Sequence, residues 1–161
     1  MKKTISILIM LISTTHLFAQ DIAIKEQIVK SVKTLNGIIT LDKLNQLTTD
    51  LKELSQDGSM CFVSLDEYNN CEGNKEDVYA TLIKRLDDLI GLEANVVLTK
   101  WNKPWDDENF YTLKFEIHYT NRNADFPIET NFDTLIIDVS EDKIKSIIHA
   151  REWIDLATFG E

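Results

Sequence analysis

The chain has 161 residues, of which 27 are acidic and 17 are basic, and its net charge at pH 7 is −10. A surface with that excess of negative charge repels nucleic-acid phosphates and anionic lipid head groups, so the composition argues against both kinds of partner. The length is that of one ordinary domain, which buries enough surface to fold without a metal or a dense disulfide network. We predict no metal and no cofactor.

The first nineteen residues have the three parts of a secretory signal peptide. Lys2 and Lys3 give the N-terminus a positive charge, and residues 5–17 are mostly apolar and uncharged. The small residue Ala19 lies at the predicted cleavage position. The apolar run is shorter than the roughly 20 residues that a membrane-spanning helix needs, and no cysteine follows it to carry a lipid. We therefore predict a signal peptide over residues 1–19, one domain over residues 20–161, no stable membrane anchor, and export to the periplasm or the medium.

Cys61 and Cys71 are the two cysteines of the chain. In an oxidising compartment, an even number of closely spaced cysteines favours a disulfide bond. The alternative is two free thiols packed in the interior. Zinc is not predicted, because a tetrahedral site needs four ligands and no histidine flanks this pair.

Three amphipathic helices are predicted before the main run of strands. Apolar residues recur at helical spacing from Ile24 to Leu35, and a second helix with a leucine stripe begins after the capping residue Thr40. The third helix begins after Asn74 and ends at Gly91. A short apolar run from Met60 to Leu65 predicts a strand between the second and third helices.

Beyond the third helix, the apolar period changes from about 3.6 to 2 residues, which predicts strands. The strands cover Val96–Trp101, Tyr111–Tyr119, Phe132–Val139 and Ile144–Arg151. In the second of them, apolar and polar residues alternate, which indicates one buried face and one solvated face. The predicted fold class is α+β, with three N-terminal helices packed on a curved antiparallel sheet of four to five strands.

The last hairpin, from Asp138 to Glu152, has an apolar strand, an acidic turn, a Lys-Ile pair and an Arg-Glu ending. This hairpin and the element order resemble those of the NTF2-like (SnoaL-like) superfamily. The resemblance implies three helices in the concave face of a bent sheet, a conical cavity, and a homodimer through the outer face of the sheet. In enzymatic members an Asp or His inside the cavity does the acid–base work, but the resemblance assigns this role to no particular residue here.

The first candidate for binding is the loop between the first two of these strands. It contains two tryptophans and three consecutive acids: Trp101, Trp105, Asp106, Asp107 and Glu108. Loops held on a rigid sheet commonly bind ligands, and exposed tryptophan is enriched at interface hot spots. We predict that this loop contacts the ligand or partner. The alternative is that Trp101 ends its strand in the core and the acids are merely solvated.

The second candidate consists of Glu116, His118 and His149. Glu116 and His118 share one face of a strand, and His149 lies on another strand of the same sheet. With suitable strand pairing the three converge as an acid–base cluster or a metal site. The alternation instead places Glu116 and His118 on the solvated face, which favours a structural role, so we predict no metal site and leave the catalytic residues unassigned.

These observations predict a non-catalytic binding or interaction domain for a small apolar ligand or a protein partner. The alternative is a small hydrolase, isomerase or dehydratase with its acid–base residues in an NTF2-like cavity. No phosphate-binding glycine loop, nucleophile elbow or His-Glu-x-x-His sequence occurs in the chain.

Overall fold

The structure is a computed structural model that describes residues 23–57, 60–64, 73–102, 110–120 and 130–151. Its helices are α1 (residues 23–33), α2 (Leu41–Glu53) and α3 (Lys75–Leu86), and a 3₁₀ helix (Asp87–Leu89) follows α3 directly. Its strands are β1 (Gly37–Ile38), β2 (Cys61–Ser64), β3 (Glu93–Asn102), β4 (Phe110–Thr120), β5 (Thr130–Ser140) and β6 (Lys143–Ala150).

The described strands form one sheet in the order β1-β3-β4-β5-β6-β2. All pairs are antiparallel except β2 with β6, which is parallel. The predicted α+β class is confirmed, but the sheet has six strands instead of four or five. The difference arises because β1 has only two residues, too few to show an alternating pattern, and because β2 joins the edge of the sheet in parallel.

The helices form where local signals predict them. The Thr40 side chain accepts a hydrogen bond from the backbone N–H of Lys43, and the Asn74 side chain accepts one from Asp77, so each caps a helix N-terminus. The third helix ends earlier than predicted, at Leu86, and the chain continues as the 3₁₀ helix. Gly91 then has a φ of 89°, a conformation that suits glycine at this turn.

The helices and one face of the sheet share a single core. Its members include Ile28 of α1, Leu47 of α2, Leu82 of α3 and Phe115 of β4, all fully buried. We call the face of the sheet that joins this core the inner face, and the opposite face the outer face. On β4 the inner face carries the odd-numbered residues from Tyr111 to Tyr119, as the alternation predicted.

The prediction that the other face of β4 is solvated was wrong. Lys114 lies on this outer face with only 5% of its surface exposed. It pairs in register with Ile136 of β5, which forms a second apolar cluster with Ile148 and Ala150. The outer face therefore has a buried apolar centre, which alternation on β4 alone does not show.

Candidate functional site

A carboxylate lies in the core at one end of β5. Asp133 is in phase with Leu135 and Ile137, which face the helices, and it pairs in register with Ile117 of β4. Only 1% of the surface of Asp133 is exposed. Burying a charge without hydrogen bonds is very unfavourable, so the contacts of this carboxylate decide whether the arrangement is stable.

Two side chains from neighbouring strands satisfy the carboxylate. The Tyr119 hydroxyl donates to Asp133 Oδ1 at 2.9 Å, and His149 Nε2 lies 2.8 Å from Asp133 Oδ2. His149 pairs in register with Leu135, so it lies diagonally across from Asp133 on the inner face. We call Tyr119, Asp133 and His149 the Tyr–Asp–His cluster.

The hydrogen bond to Asp133 fixes the tautomer of His149. An ionised carboxylate only accepts hydrogen bonds, so Nε2 carries the proton, and in the neutral ring Nδ1 is left as an acceptor. Nδ1 is buried and has no hydrogen-bond partner among the described residues. The side chain itself is 0% exposed. With a neutral His149 ring, the cluster thus holds an unsatisfied acceptor in the interior of the molecule.

Tyr119 is held as a neutral donor in the same cluster. Burial raises the pKa of this phenol, and the negative charge of Asp133 and the hydrogen bond to it raise the pKa further. Asp88 adds to the rise and Arg151 opposes it, so both of these charges act on the phenol. At neutral pH Tyr119 therefore remains protonated and keeps its donor on Asp133.

An ion pair lies at the rim of the cluster. Arg151 directly follows β6, and its Nη2 atom is 2.6 Å from Oδ2 of Asp88 in the 3₁₀ helix. The side chains are 48% and 46% exposed, respectively. The pair thus connects the helix layer to the end of the sheet, two residues along the chain from the buried His149.

The structure brings together two of the three histidine and glutamate candidates. On the outer face, His118 Nε2 is 3.0 Å from Glu116 Oε2, and Lys114 Nζ is 3.5 Å from Glu116 Oε1. The His118 ring also packs on Phe132, with ring centroids 5.2 Å apart. His149 lies on the inner face and does not join them. No group of three or more His, Cys, Asp or Glu side chains within the described ranges could hold a metal ion.

The tryptophan–acid loop falls mostly outside the described residues. Trp101 belongs to β3, and Trp105, Asp106, Asp107 and Glu108 lie in the undescribed range 103–109. Binding by this loop stays a prediction. The disulfide bond also stays a prediction, because Cys61 begins β2 but Cys71 is outside the described residues. The signal peptide over residues 1–19 stays a prediction for the same reason.

Asp133 and Tyr119 were not singled out from the sequence. The available signal was that Asp133 occupies the same phase as the buried residues Leu135, Ile137 and Val139 of its strand. An acid in the core phase of a strand needs buried hydrogen-bond partners, which the structure supplies as Tyr119 and His149.

The chain is similar to several solved structures, but it matches no known family by sequence. No protein-family profile matches the chain, and no curated protein matches it. A protein of ketosteroid isomerase-like fold from Catenulispora acidiphila, solved in complex with trimethylamine, is similar with a TM-score of 0.47 and 14% identity, over 81% of this chain and 86% of that one.

Two further solved structures are similar over most of their length. An NTF2-like protein of unknown function from Shewanella oneidensis has a TM-score of 0.45 and 13% identity, over 78% of this chain and 98% of that one. A candidate SnoaL-like polyketide cyclase from a Jannaschia species has a TM-score of 0.49 and 12% identity, over 83% and 89%. Proteins described as NTF2-like and SnoaL-like, the superfamily that the sequence resembles, are among the solved structures to which this chain is similar.

None of the helices in the described ranges is long and apolar enough to cross a membrane.

Proposed function

We propose that the protein binds a small, largely apolar and uncharged molecule at the Tyr–Asp–His cluster, and that this molecule donates a hydrogen bond to His149 Nδ1. The observation that carries the proposal is the buried, unsatisfied Nδ1 acceptor. Buried polar atoms nearly always have a hydrogen-bond partner, and leaving one without costs about 1–3 kcal/mol. A ligand that supplies the missing donor recovers that free energy on binding.

The surroundings of the cluster define the class of ligand. Leu135, Ile147 and Ile117 lie on the same inner face and are fully buried, so they offer apolar contact. Within the described residues, the hydrogen bonds of Asp133 come from Tyr119 and His149, and its carboxylate pairs with no lysine or arginine. An anionic ligand would meet this charge in a desolvated setting, so a neutral molecule with one N–H or O–H group fits best.

Matched pairs of small probes test this proposal. We expect indole to bind about tenfold more tightly than 1-methylindole, and phenol more tightly than anisole, because only the first of each pair donates a hydrogen bond worth about 1.4 kcal/mol. Dissociation constants from ligand-observed NMR or calorimetry measure the difference. In the His149→Phe variant the preference should disappear, because the ring remains but the acceptor is gone.

His118→Phe is the matched control, since it removes a histidine from the outer face and should leave the preference unchanged. Absence of binding by every probe, or an equal preference in the His149→Phe variant, would show that Nδ1 is not a ligand anchor.

Acid–base catalysis is the second candidate function. The specific observation in its favour is the hydrogen bond from His149 Nε2 to Asp133, because it leaves Nδ1 as a free base aimed away from the carboxylate. A further variant, His149→Gln, separates the two functions. If a molecule bound by the wild type is released chemically changed, and the His149→Gln variant releases it unchanged, the protein is an enzyme.

We propose in addition that the protein is exported and oxidised. The three-part N-terminal segment and the cysteine pair support this. The intact mass of protein recovered from an exporting host should correspond to residues 20–161 less two hydrogens, and neither cysteine should react with an alkylating reagent before reduction. A disulfide across so short a loop would stabilise the fold by roughly 2–3 kcal/mol. Retention of residues 1–19, or alkylation of Cys61 and Cys71 without reduction, would contradict the proposal.

A further inference from the structure

The buried cluster has an exposed ion pair beside it. His149 is fully buried, whereas Arg151, two residues later, has almost half of its side chain in solvent and contacts Asp88 at 2.6 Å. Asp88 belongs to the 3₁₀ helix that follows α3, and the adjacent Leu89 is buried in the core. The pair therefore bridges the 3₁₀ helix and the end of β6 at the surface of the molecule, next to buried residues of both elements.

Tyr119 connects this ion pair to the cluster. Its hydroxyl contacts Asp133, it is less buried than Asp133 or His149, and both charges of the ion pair act on it. The ion pair and the Tyr–Asp–His cluster therefore lie at the same end of the sheet, where β4 and β6 end and β5 begins.

We propose that the Asp88–Arg151 ion pair closes the entrance through which small molecules reach His149. The inference rests on the proposed function, since an entrance matters only for a molecule that binds inside. Ion pairs with this degree of exposure are weak and are screened by salt, so the pair opens on thermal motion and opens more often at high ionic strength.

Acylation of histidine by diethyl pyrocarbonate measures access without requiring the natural ligand. The neutral imidazole nitrogen attacks a carbonyl carbon of the reagent, an N–C bond forms, ethyl carbonate leaves, and the proton on the other ring nitrogen is released. Peptide mass spectrometry of the whole chain follows His149 and His118 separately. His118 is half-buried on the outer face and serves as the internal reference.

We expect Arg151→Gln and Asp88→Asn each to raise the acylation rate of His149 about fivefold relative to His118, which corresponds to an exposed ion pair of about 1 kcal/mol. Added potassium chloride should raise the rate of His149 in the wild type and have little effect in either variant. Combining Arg151→Asp with Asp88→Arg restores an ion pair of reversed polarity and should return the slow rate, which general destabilisation would not do.

Lys145→Gln is the matched control, because it removes another exposed ion pair from β6, with Glu141 at 3.9 Å. It should leave the His149 rate unchanged. Equal rates in the wild type, Arg151→Gln and Asp88→Asn, or no return in the charge-reversed double variant, would overturn the proposed entrance. Failure of the matched probes to bind would instead overturn the proposed function and leave the acylation result standing.

Discussion

Replacing Asp133 with alanine should lower the free energy of unfolding by about 3–5 kcal/mol, because two buried hydrogen bonds to a charged group are lost and each contributes about 1.5–3 kcal/mol. The substitution removes the carboxylate, which lies 2.9 Å from the Tyr119 hydroxyl and 2.8 Å from His149 Nε2. Both of these buried groups then lack their hydrogen-bond acceptor. Chemical denaturation at neutral pH measures the loss.

Asp133→Asn should behave differently, because the amide keeps the shape of the carboxylate. Its oxygen still accepts from Tyr119, but its nitrogen donates to His149 Nε2, so the neutral ring must carry its proton on Nδ1. We expect most of the stability to remain and the tautomer to reverse, as seen in ¹⁵N NMR of the imidazole. The Nδ1 acceptor would then be lost, and the preference for N–H and O–H probes with it.

Asp138→Ala is the matched control for the alanine variant. Asp138 is on the same strand but on the outer face, where it accepts from Thr112 at 2.7 Å and from Ser146 at 2.5 Å. Because it is only partly buried, its removal should cost about 1–2 kcal/mol. An Asp133→Ala variant as stable as this control would show that the Tyr–Asp–His cluster is not a tightly bonded buried network.

Helix and strand positions could be predicted because their signals are local. Thr40 and Asn74 cap helices as expected, and the alternation from Tyr111 to Tyr119 identifies the buried face of β4. The pairing of β2 with β6 could not be predicted in the same way, since nothing in the short run at Cys61–Ser64 specifies a partner so distant in sequence.

The face occupied by His149 depends on a bulge that the sequence does not reveal. Val139 pairs with Ile144 and Asp138 with Ser146, so β6 contains one extra residue at Lys145. Strict alternation from Ile144 would place His149 on the outer face, with Glu116 and His118. The bulge reverses the phase, buries Ile147 and His149 together, and brings His149 to Asp133.

Tyr79 is a buried phenol in α3, with 3% of its surface exposed. Its hydroxyl contacts Ser55 Oγ, and Ser55 Oγ also donates to the Leu51 carbonyl at 2.7 Å. Burial raises the pKa of Tyr79 to about 12, and the hydrogen bond to Ser55 acts in the opposite direction.

Between pH 10 and pH 12 the unfolded chain loses the Tyr79 proton while the folded chain retains it. The unfolded state then binds fewer protons, so the free energy of unfolding falls as pH rises, by roughly 2–3 kcal/mol from this residue across the interval. We expect Tyr79→Phe to be about 1 kcal/mol less stable than the wild type at neutral pH, because one hydrogen bond is lost, and to lack this alkaline decline.

The two stability curves should therefore cross in the alkaline range, which denaturation at a series of pH values together with tyrosinate absorbance can measure. Ser55→Ala separates the two causes: it removes the hydrogen bond and leaves Tyr79 buried, so its alkaline decline should persist. Parallel curves for wild type and Tyr79→Phe up to pH 12 would mean that burial does not hold this phenol protonated. A decline abolished by Ser55→Ala would mean that the hydrogen bond to Ser55 raises the pKa of Tyr79, contrary to the direction given above.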